Sequence, residues 1–204
     1  LRVGLVESLL FPDFIRLIPK YREKFPHVVL NLHTASSTEI IELLKKNKLD
    51  LGCYLQMNTP PFEFTHLLQR ATPLVMVANR NYPASPNEVV PLENIVQRSF
   101  ILPEEISVYH QMLLKELNLR GLSLKECVRL TSTRGIVEVL KYSEGVSFLP
   151  EYVVRQEVQQ GYLKILSTTL PSMTIDVTVS VYRDKWISPQ MVGMLNLLQD
   201  ELLL

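Results

Sequence analysis

The feature that most constrains the fold is the alternation of strand-like and helix-like segments in the first quarter of the chain. Residues 1–7 have the pattern of a strand, and residues 11–25 carry apolar side chains at the spacing of one helix face. A strand at 28–34, a helix starting near Ser37 and a strand at 49–55 follow. Strands separated by helices pair in parallel through right-handed crossovers, so this region predicts a doubly wound α/β unit.

The same alternation returns later in the chain. Residues 100–102, 124–131 and 146–149 have strand-like patterns, and helical patterns at 108–117 and 134–142 lie between them. This repetition of element order predicts a second α/β unit.

Two long strand-like segments, Leu67–Asn79 and Thr174–Tyr182, bracket the second unit, and a helical pattern at 188–203 ends the chain. A chain that leaves and re-enters its first unit through two long strands has a discontinuous first lobe. We therefore predict an α/β fold with two Rossmann-like lobes joined by two crossover strands. The predicted ranges are 1–74 with 175–204 for lobe I and 75–174 for lobe II.

Composition excludes several classes of protein. Lysine plus arginine number 21 and aspartate plus glutamate number 21, so the chain lacks the basic excess that holds phosphate backbones. No apolar run reaches the roughly 18–20 residues that a membrane helix needs. The first residues show neither a charged leader nor a cleavage site, which favours a soluble, cytoplasmic protein.

The two cysteines, Cys53 and Cys127, each lie in an apolar, strand-like run. Free cysteine is among the residues most often buried, so this context favours reduced core thiols over a disulfide framework. A redox sensor needs an accessible thiol of low pKa near a resolving partner, and neither cysteine has that sequence context.

Four stretches carry a family resemblance: LRVGLVESLLFPDFIRLIPKYREKFPHVVLNLH, ASSTEIIELLKKNKLDLGCYL, EVLKYSEGVSFLPEYVV and VSVYRDKWISPQ. In this order and spacing they resemble the effector-binding domain of LysR-type transcription regulators over essentially the whole chain. The resemblance implies a type 2 periplasmic-binding-protein-like fold. It also implies a winged helix-turn-helix domain and a linker helix before Leu1, which are absent from this sequence. One departure is that Ser143 and Gly145 occupy the positions where the family usually has two glycines.

Hydroxyl side chains stand where several predicted helices begin after strands. In doubly wound units ligands bind outside the carboxyl ends of the strands, where helix N-termini offer free N–H groups and the positive end of the dipole. The simpler interpretation is that each hydroxyl only caps its helix, worth about 1 kcal/mol. Arg134 adds a guanidinium fork for a carboxylate or another oxyanion, unless it is a solvated surface side chain.

In the family, effectors bind in the interlobe cleft through the turns that match these positions. The resemblance together with the hydroxyl pattern gives one candidate set. The predicted effector-binding residues are Ser8, Ser36, Ser37, Leu102, Pro103, Glu104, Thr131, Ser132, Thr133 and Arg134.

Motifs for catalysis are absent from the sequence. It has no G-x-S-x-G elbow, no H-E-x-x-H, no C-x-x-C and no glycine-rich phosphate loop. The four histidines, His27, His33, His66 and His110, lack the spacing of metal ligands. The adjacent Glu104 and Glu105 follow Pro103 and are typical of a solvated turn. We therefore predict no catalytic residues, no metal and no cofactor.

The leading hypothesis is an allosteric module that binds a small, preferably anionic effector and controls DNA binding by the absent domain. Two alternatives remain open at this point. One is a solute-binding protein of a transporter, and the other is a two-lobed lyase resembling prephenate dehydratase, whose Thr-Arg pair Thr133 and Arg134 match superficially.

For partners, the resemblance implies side-by-side antiparallel homodimers and full-length tetramers on DNA. The exposed faces of the Pro12–Phe25 helix and the Val28–Thr34 strand would contribute to the dimer interface. The identity of the effector does not follow from the sequence.

Overall fold

The structure is a computed structural model that describes residues 1–10, 14–56, 63–85, 88–103 and 107–201, without the side chains of Glu126, Cys127 and Glu201. The strands within these residues are β1 (Arg2–Leu5), β2 (Asn31–Thr34), β3 (Leu51–Gln56), β4 (Phe64–Asn79), β5 (Ser99–Leu102), β6 (Glu126–Arg129), β7 (Val146–Pro150), β8 (Leu163–Leu166) and β9 (Met173–Tyr182). The helices are α1 (Glu7–Leu9), α2 (Ile15–Lys24), α3 (Ser37–Lys45), α4 (Leu92–Ile95), α5 (Val108–Leu119), α6 (Thr133–Tyr142), α7 (Glu151–Gln159) and α8 (Pro189–Glu201).

The chain forms two compact units. Unit 1 consists of Leu1–Ala71 and Asp176–Leu204, and unit 2 consists of Thr72–Ile175. The chain passes from one unit to the other within β4 and again within β9. The lobe boundaries predicted from the sequence, between residues 74 and 75 and between residues 174 and 175, fall inside the same two strands.

Unit 1 contains a mixed sheet with the strand order β2-β1-β3-β9, followed by the first part of β4. Strand β1 pairs in parallel with β2 and with β3, and β9 returns antiparallel to β3. Leu5 lies opposite both Thr34 and Cys53, so the carboxyl ends of β1, β2 and β3 form one edge.

Helix α3 packs closely on this sheet because two of the strands present glycine to it. A Cβ added to Gly52 would lie 2.6 Å from Leu44 Cδ1 and 2.8 Å from Ile40 Cγ2. A Cβ added to Gly4 on the neighbouring strand would meet Leu49, after α3, at 2.3 Å and Ile40 at 3.4 Å. Gly52 therefore allows the close approach of α3 to the sheet.

Unit 2 is built around the second part of β4, which pairs antiparallel with β7 and β8. Strands β7, β5 and β6 are parallel, with Leu102 opposite Arg129. Their carboxyl ends therefore form the corresponding edge of this unit.

Gly145 explains why the family's second glycine is retained before β7. A side chain there would lie 2.7 Å from Ile101 Cδ1 and 3.1 Å from the Ser99 carbonyl oxygen. At the first position of the pair, Ser143 accepts a hydrogen bond from the Gly145 N–H at 3.4 Å. Serine is accommodated at 143, whereas a Cβ at 145 would press on Ile101 and on the Ser99 carbonyl.

The order of the predicted elements agrees with the structure, with two kinds of correction. Some bounds differ: the first strand ends at Leu5 rather than at 7, because α1 begins at Glu7. Strand β2 begins at Asn31 rather than at 28, because chain pairing starts where the Asn31 N–H bonds the Leu1 carbonyl. Helix α7, strand β8 and the short helix α4 were not predicted. Parts of other predictions, including residues 11–13 of the first helix, the proline-containing loop at 58–62 and the end of the last helix, lie outside the described residues.

Candidate functional site

In unit 1, the turns after two strands are joined at the carboxyl edge of the sheet. Val6, directly after β1, donates its N–H to the Cys53 carbonyl at 3.1 Å. Ala35, directly after β2, donates its N–H to the Leu5 carbonyl at 3.2 Å. The first turns of α1 and α3 therefore lie along one edge.

The three predicted serines of unit 1 lie at this edge. Ser36 is the N-cap of α3, and its Oγ accepts the Glu39 N–H at 3.2 Å. Ser37 Oγ accepts the N–H of Leu55 near the end of β3, also at 3.2 Å. Ser8 lies in α1 and is buried. Ser36 is thus a helix cap, and Ser37 ties α3 to a strand end.

In unit 2, Leu102 and the segment after β6 lie together. The Leu130 N–H donates to the Leu102 carbonyl at 3.0 Å, and both Leu102 and Pro103 are buried. Thr131 follows as an exposed residue. Glu104, with Glu105 beside it, lies outside the described residues.

The N-terminus of α6 carries the next two predicted residues. Ser132 is its N-cap, and its Oγ accepts the Gly135 N–H at 3.2 Å. Thr133 is the first helical residue and is 6% exposed. Ser132 therefore repeats in unit 2 the capping geometry of Ser36 in unit 1.

Arg134 takes part in an ion-pair network between α6 and α7. Its Nη1 lies 2.6 Å from Glu157 Oε1 and its Nη2 lies 2.6 Å from Glu138 Oε1. Lys141 Nζ lies 2.9 Å from the Glu138 carboxylate and 3.6 Å from that of Glu157, whose side chain is 3% exposed. The hydrogen bond from Lys141 lowers the pKa of Glu138 from its ordinary value. The Arg134 guanidinium, which the sequence predicted to bind a ligand, forms ion pairs with the carboxylates of Glu138 and Glu157.

Two polar side chains at these edges were absent from the predicted set. Gln56 ends β3 and Ser107 is the N-cap of α5, the helix after β5. Gln56 Nε2 and Ser107 Oγ are both buried, and neither has a hydrogen-bond partner among the described residues. Buried polar atoms of native proteins are normally paired with protein, water or ligand. The sequence signal for Ser107 was its place at a helix start, whereas a glutamine ending a buried strand carries no comparable signal.

The edges present neutral hydroxyl, amide and backbone N–H groups, which are suited to binding and orientation. Among the residues that the structure describes, no group of three or more His, Cys, Asp or Glu is arranged to hold a metal ion. Also within that part of the chain, no helix has the length and apolar character needed to cross a membrane.

A serine–histidine pair lies in the core of unit 1. Ser180 Oγ lies 2.7 Å from His66 Nδ1 and accepts a hydrogen bond from the Tyr54 hydroxyl at 3.0 Å. Ser180 is 0% exposed, so a substrate cannot reach its hydroxyl. Burial also lowers the pKa of His66. This chain of hydrogen bonds therefore satisfies buried polar atoms.

Cys53 is a free, buried thiol, as predicted. Burial raises its pKa to about 12. A thiol of that pKa is not a nucleophile at neutral pH. The side chain of Cys127 lies outside the described residues.

Comparison with known proteins gives consistent results. The family model described as the LysR substrate binding domain matches residues 1–203. An uncharacterized HTH-type transcriptional regulator of Escherichia coli, YfiE, is 25% identical over 197 residues, which cover 94% of this chain and 64% of that protein.

Solved structures show the same fold. The regulatory domain of Synechocystis CcmR in complex with 2-PG matches with a TM-score of 0.80 and 20% identity, covering 98% of this chain and 95% of that one. The effector binding domain of QuiR in complex with shikimate matches with a TM-score of 0.71 and 18% identity, covering 96% and 92%. The chain spans between about half and two thirds of the length of the first curated relatives that it matches.

Proposed function

The chain belongs to the LysR substrate binding domain family, and from this premise we propose that it is the effector-sensing part of a LysR-type transcription regulator. It binds a small metabolite and catalyses no reaction. The effector acts by its different affinity for two arrangements of the protein, and this difference controls DNA binding by a winged helix-turn-helix domain of the full-length regulator.

The observation that carries this proposal is a pair of buried polar atoms, one at the end of β3 and one at the N-cap of α5. Gln56 Nε2 in unit 1 and Ser107 Oγ in unit 2 have no partner among the described residues. Both lie at carboxyl edges, where ligands bind in doubly wound α/β units. We propose that the Gln56 amide in unit 1 and the Ser107 hydroxyl in unit 2 are effector contacts of their own units.

The predicted contact residues belong to the same proposal. In unit 1 these are Ser8, Ser36 and Ser37, and in unit 2 they are Leu102, Pro103, Glu104 and Thr131–Thr133. The N-termini of α3 and α6 carry the positive ends of the helix dipoles, which favour a negatively charged effector. Shikimate, the ligand of the QuiR structure, is a carboxylate, which agrees in type.

Arg134 has a conditional role in this proposal. Both of its terminal nitrogens are occupied by Glu138 and Glu157. Arg134 can bind an effector only if it first breaks one of these two ion pairs. Glu157 would then keep Lys141 as its cationic neighbour.

The two alternative hypotheses have less support. The family match and the regulator relatives favour a regulator over a transporter's solute-binding protein. The lyase hypothesis depended on Thr133 and Arg134, but Thr133 is buried and Arg134 is ion-paired. Turnover of prephenate by the purified chain would overturn the proposal in favour of the lyase.

A thermal-shift screen against central metabolites tests the binding function. A ligand at 100 times its dissociation constant stabilises its protein by about 2.7 kcal/mol. For a metabolite that gives such a shift, Ser107→Ala and Gln56→Leu should weaken binding by about tenfold, since hydrogen bonds to a charged ligand contribute about 1.5–3 kcal/mol. Ser36→Ala and Thr133→Ala should also reduce the shift.

Ser147→Ala is the matched control. Ser147 Oγ is likewise buried without a partner among the described residues, but it lies near the start of β7 rather than at the carboxyl edge. Its replacement should leave the ligand response unchanged. Equal ligand responses in Ser107→Ala, Gln56→Leu and the parent chain would remove these residues from the site.

We further propose that the domain forms homodimers, that the full-length regulator forms tetramers on DNA, and that it acts in the cytoplasm. Strand β2 ends the sheet of unit 1 in the described residues, and beside it Val29 is 73% exposed. On α2, Ile15 is 39% exposed. A second copy would cover these side chains. Sedimentation should give a dimer mass, and Val29→Glu should shift it toward the monomer; a strict monomer at about 10–50 μM, where weak interfaces associate, contradicts this assignment.

A further inference from the structure

Unit 2 contains a pocket that is separate from all the predicted effector contacts. Its volume is about 450 Å³, within the range of about 300–1,000 Å³ that is typical of small-molecule sites. Its lining residues are Asn79, Asn81, Tyr82, Pro83, Arg98, Lys141, Tyr142, Ser143 and Glu144.

The pocket lies at the opposite end of α6 from the predicted contacts. Helix α6 starts at Thr133 and ends at Tyr142, a length of 10 residues or about 15 Å. Arg98 directly precedes β5, whereas Leu102 ends that strand. The pocket is therefore on the amino-end side of the parallel strands of this unit.

Two opposite charges in this pocket lack ion-pair partners in the described part of the chain. Arg98 places its guanidinium over the Tyr82 ring, 5.3 Å from the ring centroid, and has no carboxylate within 4.0 Å. Glu144 has no cation within that distance. Lys141, by contrast, is already bound to Glu138.

The walls of the pocket are fixed by hydrogen bonds. Lys164 Nζ donates to the carbonyls of Tyr82 and Ala84 at 2.5 and 2.9 Å, which holds the turn that carries the Tyr82 ring. Asn79 Nδ2 donates to the carbonyls of Leu140 and Lys141 at 3.2 and 2.6 Å. This joins the end of β4 to the end of α6. The pocket is therefore formed before any ligand arrives.

We propose that this pocket is a second small-molecule site, specific for a zwitterion of the α-amino acid type with an apolar or aromatic side chain. Arg98 binds the carboxylate through its planar fork. Glu144, near the carbonyl end of α6, binds the ammonium group, since helix C-termini favour cations. Tyr82 and Pro83 contact the apolar side chain. The proposal is independent of the effector site, because it shares no residue with that set.

Titration of the ¹⁵N-labelled chain followed by NMR tests the proposal with L-phenylalanine and L-leucine as probes. We expect saturable shifts of the backbone signals of residues 79–83, 98 and 141–145. Two analogues serve as matched ligands: 3-phenylpropionate lacks the ammonium group and 2-phenylethylamine lacks the carboxylate. Each should bind about tenfold or more weakly than L-phenylalanine, since each loses a charge-assisted hydrogen bond.

Variants assign the two charges. Arg98→Gln should weaken L-phenylalanine binding about tenfold, and Glu144→Gln should abolish the preference for L-phenylalanine over 3-phenylpropionate. Arg155→Gln, at an exposed arginine on α7, is the control and should change neither value. The proposal is overturned if neither amino acid gives a saturable response, if Arg98→Gln binds as the parent chain does, or if the shifts centre on residues 131–134.

Discussion

The carboxyl edges of the two units use the same capping geometry but differ in charge. In unit 1, Ser36 and Ser37 accept backbone N–H groups, and each of those bonds joins neutral partners. In unit 2, Ser132 caps α6 in the same way. Two residues later, Arg134 forms ion pairs with the carboxylates of Glu138 and Glu157, which also lie near Lys141. In unit 1 these contacts are neutral, whereas in unit 2 helix α6 also carries an ion-pair network that extends from Arg134 to Lys141 near its other end.

This difference determines how each edge responds to change. When a serine hydroxyl is removed, water can bind an exposed backbone N–H such as that of Glu39, whereas the N–H of the buried Leu55 loses its acceptor. The buried carboxylate of Glu157 has two cations near it, Arg134 at 2.6 Å and Lys141 at 3.6 Å. One cation can therefore leave while the buried Glu157 carboxylate keeps a charged partner.

The largest expected effect comes from removing both cations at once. Arg134→Ala with Lys141→Ala leaves the Glu157 carboxylate buried without a charged partner, which costs about 3–5 kcal/mol of unfolding free energy. Each single replacement should cost much less than half of that, because one cation remains. Denaturant unfolding of the two single variants and the double variant measures the excess as a coupling free energy.

Arg155→Ala is the control for the loss of an exposed arginine and should change stability by less than about 0.5 kcal/mol. Simple additivity of the two single variants would show that Glu157 does not depend on sharing its two partners.

An intermediate effect is expected for Ser37→Ala in unit 1. It leaves the N–H of Leu55, a residue only 4% exposed, without its acceptor, which costs about 1–3 kcal/mol. Ser36→Ala removes an N-cap from a more exposed N–H and should cost about 1 kcal/mol. Unfolding by urea ranks the two variants. If Ser36→Ala were the more damaging, the strand contact of Ser37 would not be what fixes this edge.

The smallest expected effect is the pH dependence of stability that arises from the carboxyl group of Glu138. The pKa of Glu138 in the folded chain is lower than its ordinary 4.5, through the hydrogen bond from Lys141. Its contribution to stability is therefore complete above pH 4.5 and is lost as pH falls below that value. The side chain is 42% exposed, so this contribution is below about 1 kcal/mol.

Unfolding free energies of the parent chain and Glu138→Gln, measured from pH 7 to pH 3, should converge toward the acid end. The Ser36 and Ser37 variants should differ from the parent by a constant amount over the same range, because their bonds do not titrate. A pH-independent gap for Glu138→Gln contradicts the assignment.

Strand and helix order was readable from the sequence because the apolar periodicity of each of these segments is a local pattern. Helix α7 was not predicted from the sequence, because its adjacent Val153 and Val154 favour an extended chain locally. Both valines are buried on α7, so packing in unit 2 overrides the local preference. Local patterns missed a segment whose residue preferences differ from the structure that its packing favours.

For the candidate site, the sequence located the turns but not the state of their side chains. Ser36 and Ser132 are recognisable as caps because a hydroxyl and its backbone partner are three residues apart. The pairing of Arg134 with Glu157 joins residues 23 positions apart, and no local pattern reports it. No local pattern identifies Gln56 either. That its buried Nε2 lacks a hydrogen-bond partner among the described residues is visible only in the three-dimensional structure.

Cys53 lies at the centre of the unit 1 sheet, and chemical modification of its thiol can report local opening of that sheet. Its thiol is 2% exposed, and burial raises its pKa to about 12, so a thiol reagent reaches it only during an opening event. In a Cys127→Ser background, the rate of modification would record how often the strands behind Ser36 and Ser37 separate. That rate connects the static arrangement of one edge to the frequency at which the native chain transiently opens.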